Sequence, residues 1–368
     1  MAKWHCRMEN MELAFKNQFK GVYQGKRVLV TGHTGFKGSW LSIWLKALGA
    51  EVYGFALEAD GPNANFNRCG LAQRMHHTLG DIRNQSLLQD FVSEIKPHFI
   101  FHLAAQPLVL ESYNNPHYNF ETNVMGTVNI LEAVKNCPSV EFLINVTTDK
   151  CYQNKEWLWG YRESEALGGE DPYSASKACS EIITHAYRQS FFKQHACSIA
   201  SARAGNVIGG GDWAENRIIP DAFRALQMQK TLQIRNPNAI RPWQFVLEPI
   251  MGYLTLGMHL ALEGSAFAEA WNFGPLSSEP YSVKQIIELL QNQIPQLKVE
   301  FHHSHSAPHE AALLQLDVSK ALHRLAWKPR LNMKQTLEFT TRGYLQELEH
   351  SGDLYALRLQ HLHDYCSC

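Results

Sequence analysis

Short apolar runs alternate with longer segments of helical periodicity along the first half of the chain. The runs KRVLV (26–30), EVYGFAL (51–57), PHFIFHLAA (97–105) and FLINV (142–146) predict buried strands. The segments LSIWLKALG, NQSLLQDFVSEI and TNVMGTVNILEAVKN carry apolar residues at helical spacing, and the first ends at Gly49, a natural C-cap. This order predicts an α/β fold with a Rossmann-type, doubly wound parallel sheet.

The alternation weakens from about Gly209. GGGDWAENRIIPD is typical of a loop, whereas SVKQIIELLQNQI and NMKQTLEFTTRGYLQELEH predict helices of a smaller C-terminal α/β domain that binds substrate. The predicted divisions are an N-terminal extension (1–25), a dinucleotide-binding domain (26–207, with 240–275 returning to it), a substrate domain (208–239 and 276–350) and a loose tail (351–368). Met8 or Met11 could be the true start of translation.

The composition is that of an ordinary soluble protein, with 45% hydrophobic and 19% charged residues among 368. The net charge of -1 and the lack of long basic runs give no sign of a nucleic-acid or membrane partner. No apolar segment approaches the roughly 20 residues of a membrane span, and the first residues lack the apolar core of a secretory signal.

Cysteine and histidine usage predicts no structural metal site. The eight cysteines are scattered without a CxxC pair, which favours free thiols in a reducing cytoplasm. The stretch FHHSHSAPHE (301–310) is rich in histidine, but it lacks an accompanying ligand set, so we expect a solvated loop.

A glycine-rich loop follows the first strand. In TGHTGFKG, Gly32 permits a tight turn, Gly35 lets the backbone approach a pyrophosphate, and Gly38 lets the next helix pack on the strand. The position of this pattern in a β-α-β unit predicts a bound dinucleotide. The remaining loop residues that we assign to the cofactor site are His33, Phe36 and Lys37.

The choice between NAD and NADP depends on the end of the second strand. An acid that would hold the adenosine ribose is expected there, yet the position falls at Leu57, with Glu58 and Asp60 as imperfect substitutes. His33 and Lys37 could favour a 2′-phosphate. We predict NAD. In GDIRN, Asp81 and Ile82 follow a strand where an adenine ring could lie, and Asp81 could instead, or also, cap the next helix.

Two further motifs contain candidate acid-base residues. In DPYSASK, Tyr173 and Lys177 lie four residues apart, so on a helix they share one face, where the lysine can lower the pKa of the phenol. In VTTDKCY, Asp149 and Lys150 follow the strand that ends at Val146. An adjacent acid and base at a strand end are usually a solvated turn.

The chain resembles the extended short-chain dehydrogenase/reductase superfamily, and within it the NAD-dependent nucleotide-sugar epimerases and dehydratases. The motifs that carry the resemblance are VTGHTGFKGSWL, HLAAQPLV, TTDKCY, YSASK, RAGNVIGGGDW and RPWQFVLEP. They extend from about residue 25 to 350. The Thr-Asp-Lys triple and the GGGDW loop are not general to the superfamily, and the Asp-Lys pair is similar to that of 4,6-dehydratases that act on CDP-glucose.

The resemblance implies a hydro-lyase of deoxysugar biosynthesis. Thr148, Tyr173 and Lys177 would form the oxidation triad, with Tyr173 as the base for the 4-hydroxyl of the hexose. Lys150 would take the proton of carbon 5 and Asp149 would protonate the departing 6-hydroxyl, although these two roles could be exchanged. The hydride removed from carbon 4 would return to carbon 6.

The resemblance also implies the remaining contacts. The cofactor residues would include Leu103, Ala104 and Ala105, and the substrate residues would be Gln106, Arg203, Asn206, Arg217 and Arg241. A surface salt bridge is the commoner fate of any single arginine. One departure is Phe245, where the family pattern has a histidine.

Three alternatives stay open at this point. Another nucleotide-sugar dehydratase, such as one for GDP-mannose, would favour a glutamate near the Asp-Lys pair, and a 4-epimerase would need no such pair. A catalytically silent NAD-binding scaffold would not need Tyr173 or Lys177, and both are present. We further expect a homodimer joined through the helix after residues 102–107 and the helix that carries Tyr173.

Overall fold

The fold is built on one seven-stranded sheet. A computed structural model describes residues 15–276, 280–302 and 313–368. Its strands are β1 (Arg27–Thr31), β2 (Glu51–Ala56), β3 (His76–Leu79), β4 (Phe99–His102), β5 (Phe142–Val146), β6 (Ser198–Ala204), β7 (Val207–Ile208), β8 (Leu232–Ile234), β9 (Ile240–Arg241), β10 (Gln244–Phe245), β11 (Ala270–Phe273), β12 (Tyr281–Ser282) and β13 (Val299–Phe301). The main sheet has the order β11-β6-β5-β4-β1-β2-β3, and every neighbouring pair is parallel. The predicted Rossmann-type sheet is confirmed.

Helices cover both faces of this sheet. They are α1 (Phe36–Ala47), α2 (Asn65–Arg68), α3 (Gln85–Ile95), α4 (Val109–Asn114), α5 (Pro116–Phe120), α6 (Gly126–Lys135), α7 (Pro172–Ser190), α8 (Ile218–Gln227), α9 (Leu247–Glu263), α10 (Val283–Gln293), α11 (Ser319–Arg324), α12 (Met333–Glu349) and α13 (Tyr355–Cys366). A π-helical turn, Glu121–Met125, leads into α6. The apolar periodicity therefore predicted α1, α3, α6, α10 and α12 correctly.

The strand order predicts where a ligand binds on the sheet. β1 lies between β2 and β4, so successive strands are added to one side of β1 and then to its other side. Ligands of such sheets bind beyond the carboxyl ends of the strands at this switch point. β1, β4 and β5 are buried on both faces, which explains their continuous apolar runs. The turns that follow these three strands carry the predicted site residues.

Smaller strand pairs lie outside the main sheet. β7 pairs with β10 and β8 with β13 in parallel, whereas β9 pairs with β12 in antiparallel orientation. Their surroundings form a separate hydrophobic cluster that includes Phe223, Trp243, Ile286, Leu337 and Tyr344. The division into a dinucleotide domain and a substrate domain stays a prediction.

Both ends of the described chain are packed, so the prediction of a loose tail was wrong. Residues 355–366 form α13, in which Leu359 and Tyr365 are buried and Tyr365 packs edge-to-face on Trp44, 6.0 Å between ring centroids. Phe15 is 1% exposed, and the hydroxyl of Tyr23 donates to the carbonyl of Leu254 at 2.7 Å. Apolar burial holds these segments against helices α1 and α9.

The described residues contain neither a candidate membrane span nor a candidate metal cluster. Within them, no helix is long and apolar enough to cross a membrane. No group of three or more His, Cys, Asp or Glu side chains in that part of the chain could hold a metal ion. Most of the histidine-rich stretch lies at 303–312, outside the described residues.

Candidate active site

The Thr-Asp-Lys triple lies at the end of β5 and is not a solvated turn. Thr148 begins a turn of 3₁₀ helix, Asp149–Cys151, and its hydroxyl accepts a long hydrogen bond from the Lys150 amide at 3.4 Å. The same hydroxyl donates to Asp149 Oδ1 at 2.9 Å. Asp149 is 1% exposed, and no protein atom of the described chain hydrogen bonds its second oxygen, Oδ2. An unpaired buried carboxylate oxygen is costly, which indicates a functional group.

The surroundings of Asp149 favour its protonated form more than water does. Burial raises the pKa of Asp149, while the charge of Lys150, the hydrogen bond from Thr148 and the charge of Arg241 limit the rise. A carboxyl group with a raised pKa can donate a proton near neutral pH. This supports the assignment of Asp149 as the acid of the pair.

Helix α7 presents Tyr173 and Lys177 to the same edge. Asp171 caps the helix by accepting from the Ser174 amide at 2.9 Å, and Pro172 occupies its first turn. One turn separates Tyr173 from Lys177, as the spacing predicted. Lys177 is 5% exposed, and its ammonium donates to the carbonyl of Val146, at the end of β5, at 3.3 Å.

Burial shifts the pKa values of Tyr173 and Lys177 so that the neutral form of each side chain is favoured. Burial raises the pKa of Tyr173 to about 12, and the hydrogen bond with Thr148 works in the opposite direction. Burial lowers the pKa of Lys177 to about 8. A phenol with this pKa is a poor base at neutral pH, so an additional positive charge near Tyr173 is required for it to lose its proton.

The glycine loop leaves room for a dinucleotide. Gly32 has φ +72°, and a Cβ there would lie 2.7 Å from the Ala104 amide nitrogen. A Cβ on Gly38 would lie 2.2 Å from the Gly32 carbonyl oxygen. Gly35 is exposed and caps α1 without a side chain, so the first amides of that helix stay open to a phosphate. The loop therefore fits the pyrophosphate of NAD.

The end of β4 lies directly against this loop. The amide of Leu103 donates to the Thr31 carbonyl at 3.1 Å, and that of Ala104 donates to the Thr31 hydroxyl at 3.2 Å. This contact brings Leu103 and Ala104 beside Gly32, and the cofactor contacts of Leu103, Ala104 and Ala105 stay predictions. Phe36, the first residue of α1, is half-buried.

His33 and Lys37 do not form the 2′-phosphate site that their charges allowed. His33 is fully buried, and its Nε2 lies 2.7 Å from His77 Nδ1 on β3. Burial lowers the pKa of His33 to about 3, so its ring is neutral. Lys37 interacts electrostatically with Lys177 and Asp149, so it is directed toward the catalytic end of the site.

Asp81 does not cap the helix after β3. Asn84 does so, because its side chain accepts from the Leu87 amide at 3.2 Å. Asp81 instead pairs with Arg83 at 2.6 Å. Ile82 is buried against Gly126. A contact of Asp81 and Ile82 with adenine stays a prediction.

Two of the five predicted substrate residues lie near the catalytic groups. The charge of Arg217 acts on Tyr173, and that of Arg241 acts on Asp149. Arg241 also lines an open cavity of about 350 Å³. Other residues that line it are Trp243, Tyr281, Gln315, Leu316 and Met333.

Arg203 is buried at the end of β6, and its contact with the substrate stays a prediction. It is 3% exposed, pairs with Glu181 of α7 at 2.9 Å, and donates to the hydroxyl of Tyr152 at 2.8 Å. These partners bind Nη1 and Nη2 of the guanidinium, whereas its buried Nε has no partner among the described residues. The sequence placed Arg203 at a strand end but could not reveal Glu181 as its partner.

The remaining predicted substrate residues are Gln106 and Asn206. The Gln106 carboxamide donates to the Leu108 carbonyl and accepts from its amide, so it shapes the loop after β4. The carbonyl of Asn206 accepts from the Gln244 amide. Substrate contacts of Gln106 and Asn206 stay predictions. Phe245 is fully buried against Phe339 at a centroid distance of 5.3 Å, so the departure from histidine lies in the core.

Asp212 contacts the predicted substrate residue Arg217, although the motifs did not predict this contact. Its carboxylate accepts from Arg217 Nη1 at 2.9 Å and is 5% exposed. The signal was present, because Asp212 is the acid of GGGDW and lies five residues before Arg217. Only the fold shows that the two side chains meet.

Comparison with known proteins identifies the family. The model of the family described as GDP-mannose 4,6 dehydratase matches residues 29–340. The chain belongs to this family. A relative named CDP-glucose 4,6-dehydratase, from Salmonella typhimurium, is 48% identical over 86% of this chain and 90% of its own length.

More distant dehydratases and epimerases share the family's fold. The GDP-mannose 4,6-dehydratase of Vibrio cholerae is 25% identical over 92% of this chain and 98% of its own length. The NAD complex of dTDP-glucose 4,6-dehydratase from Bacillus anthracis gives a TM-score of 0.72 at 22% identity, covering 88% of this chain and 98% of that one. A UDP-glucuronic acid 4-epimerase from Bacillus cereus, solved with UDP-glucuronic acid and NAD, gives 0.74 at 25% identity, with 87% and 99% covered.

Proposed function

We propose that this dehydratase converts CDP-D-glucose into CDP-4-dehydro-6-deoxy-D-glucose and water. The buried Asp149, between Thr148 and Lys150 and on the same edge as Tyr173, is the observation that carries the proposal. The relative of 48% identity is named for this reaction, which supports CDP-glucose over other nucleotide sugars.

NAD is the cofactor, and the glycine loop together with Lys177 would hold it. The open amides at the start of α1 would bind its pyrophosphate, and the Lys177 ammonium, next to the end of β5, would bind the ribose beside the nicotinamide. The chemistry that bound NAD would supply is the acceptance of the hydride from carbon 4 and its return to carbon 6.

Tyr173 is the base for the 4-hydroxyl. Its phenol needs a lower pKa than the value of about 12 that burial gives it. Lys177, one turn along α7, and the positive nicotinamide would supply the charge that stabilises the tyrosinate. Thr148, which hydrogen bonds the phenol, orients it toward the sugar.

Asp149 and Lys150 carry out the elimination. The ketone at carbon 4 acidifies the proton on carbon 5, which Lys150 removes, while Asp149 protonates the leaving 6-hydroxyl. The raised pKa of Asp149 keeps the proton available for this step. When the hydride returns to carbon 6, Lys150 gives its proton back to carbon 5, and the proton that Tyr173 took from the 4-hydroxyl replaces the one that Asp149 gave to the departing water.

Arg217 and Arg241 bind the phosphates of the substrate. The charge of Arg217 lowers the pKa of Tyr173 and that of Arg241 lowers the pKa of Asp149, which supports a place for both guanidinium groups near the catalytic side chains. We assign the open cavity beside Arg241, lined by Trp243 and Tyr281, to part of the nucleotide.

The proposal extends to a cytoplasmic homodimer. Exposed apolar side chains, Leu110 and Tyr113 on α4 and Ile182 on α7, lie on the helices expected at a two-fold interface. The seven cysteines in the described part of the chain are all free, which agrees with a reducing compartment. Light scattering at micromolar concentration should give twice the mass of the 41.9 kDa chain; a monomer mass would contradict the dimer.

The direct test is turnover. The purified protein is incubated with NAD and CDP-glucose, and the 4-keto sugar is followed by its ultraviolet absorbance in alkali. GDP-mannose and UDP-glucose serve as matched controls. Product from CDP-glucose alone supports the proposal, and product from GDP-mannose alone would contradict the assigned substrate.

A further inference from the structure

The GGGDW loop is shaped by helices from the far end of the chain. A Cβ on Gly210 would lie 2.7 Å from Glu347 Oε1 and 2.9 Å from Arg358 Nη1. Gly211 has φ +90°, and a Cβ there would lie 2.6 Å from the side chain of Asn65. The glycines are therefore required by close contact with α12, α13 and α2, which gives this part of the motif a physical reason.

A buried ion pair anchors these contacts. Glu347 of α12 and Arg358 of α13 are each 1% exposed and bind each other. The second oxygen of Glu347 accepts from the indole N–H of Trp213 at 2.7 Å, and Arg358 Nε donates to Asn65 Oδ1 at 2.8 Å. The ring of Tyr344 packs edge-to-face against Trp213. Trp213 is thus fixed from two sides by helix α12.

Asp212 lies between this anchor and the substrate site. Its carbonyl accepts from the Tyr344 hydroxyl at 2.5 Å, so helix α12 also holds its backbone. One carboxylate oxygen accepts from the Ala214 amide at 3.2 Å, and the other accepts from Arg217 at 2.9 Å. The Asp212 side chain is 5% exposed and that of Arg217 is 35% exposed, so the pair faces the open site through the arginine.

We propose that Asp212 is a positioning residue that aims the guanidinium of Arg217 at the phosphates of the nucleotide sugar, and that Trp213 and Glu347 fix Asp212 through helix α12. The inference rests on the proposed function, since it takes a pyrophosphate as the ligand of Arg217. A fixed carboxylate binds one edge of the guanidinium and leaves another edge for the phosphate. It also restricts the side-chain conformations of Arg217 before binding, so less conformational entropy is lost when the phosphate binds.

The test is a double-mutant cycle on the full-length protein loaded with NAD, with CDP as the probe in calorimetric titrations. Asp212→Asn keeps the shape and removes the charge, and it should weaken CDP binding about tenfold, within the range found for coupled neighbours. Arg217→Gln should weaken it at least as much. The double variant should bind CDP no more weakly than Arg217→Gln alone, because the aspartate acts only through the arginine.

Further variants separate positioning from simple destabilisation. Glu269→Gln breaks an ion pair with Lys320 and Arg324 beside the start of β11, at the opposite edge of the sheet, and should leave CDP affinity unchanged. Trp213→Phe removes the N–H donated to Glu347 and reduces the ring that packs on Tyr344, so it should weaken CDP binding in the same direction as Asp212→Asn. In both site variants the KM for CDP-glucose should rise more than kcat falls, and the binding stoichiometry should stay at one.

The outcomes are distinct. Additive effects of Asp212→Asn and Arg217→Gln, or unchanged CDP affinity in both Asp212→Asn and Trp213→Phe, would overturn the positioning role. Reduced stoichiometry with unchanged affinity would show a structural role only, and would also overturn it. A parent protein that binds CDP but does not convert CDP-glucose would contradict the proposed function, while the cycle would still decide the role of Asp212.

Discussion

The substitution Asp149→Asn should separate oxidation from elimination. Asparagine has the size of aspartate, and its carbonyl oxygen can still accept the hydrogen bond of Thr148 that is 2.9 Å long in the parent. The variant lacks only the proton that the buried carboxyl would give to the 6-hydroxyl. Tyr173 and Lys177, which serve the oxidation, are untouched.

The expected loss follows from the role of the group. Removing a general acid lowers the rate by about 10²–10⁴, which corresponds to roughly 3–5 kcal/mol in the barrier. The first oxidation should continue, so the keto sugar and the reduced cofactor should accumulate on the enzyme. Stopped-flow absorbance of NADH would show a signal that persists in the variant and decays in the parent.

Solvent exchange at carbon 5 refines the same experiment. In deuterated water, Asp149→Asn should incorporate deuterium at carbon 5 without losing the 6-hydroxyl, because Lys150 still removes that proton. Lys150→Met should neither exchange nor eliminate. If both variants convert CDP-glucose at the parent rate, the Asp-Lys pair has no catalytic role and the proposed mechanism is wrong.

Three other changes have defined outcomes. Tyr173→Phe should lower kcat by about 10²–10⁴ with NAD affinity largely kept, since the phenol is the proposed base; near-parental turnover would contradict this. Gly38→Ala should abolish NAD binding in titrations, because its Cβ would lie 2.2 Å from the Gly32 oxygen, and normal affinity would refute the assigned loop. Arg358→Met should cost about 3–5 kcal/mol of unfolding free energy by leaving Glu347 buried without its partner, whereas adding Glu347→Leu should recover most of it; equal denaturation midpoints for single and double variants would show that the pair is not coupled.

The sequence predicted those parts of the candidate site that are formed by residues close to one another along the chain. Gly32 to Gly38 and Thr148 to Lys150 each follow one strand, and the Tyr173–Lys177 spacing matches one helical turn. Local geometry decides all three. The structure adds that Asp149 is buried, which the adjacent letters Asp and Lys alone could not show, because adjacent acid and base are usually solvated.

Pairings across long stretches of chain were not predictable. Arg358 meets Asn65, and Arg203 meets Glu181, only after the sheet and α7 have formed. The strand expected before GDIRN is confirmed as β3, although HHTL is a four-residue edge strand without an apolar run. Helix α13 was missed although Leu354, Leu359 and Leu362 are apolar at helical spacing, since the closing cysteines suggested a loose end.

The path of one hydrogen atom tests the central claim most directly. CDP-glucose labelled with deuterium at carbon 4 is converted by the enzyme with NAD in ordinary water, and the product is examined by NMR. Transient oxidation with return of the same hydride predicts that the deuterium lies in the methyl group at carbon 6, with no net formation of NADH. Deuterium released to solvent, retained at carbon 4 or collected as deuterated NADH would contradict the dehydratase mechanism.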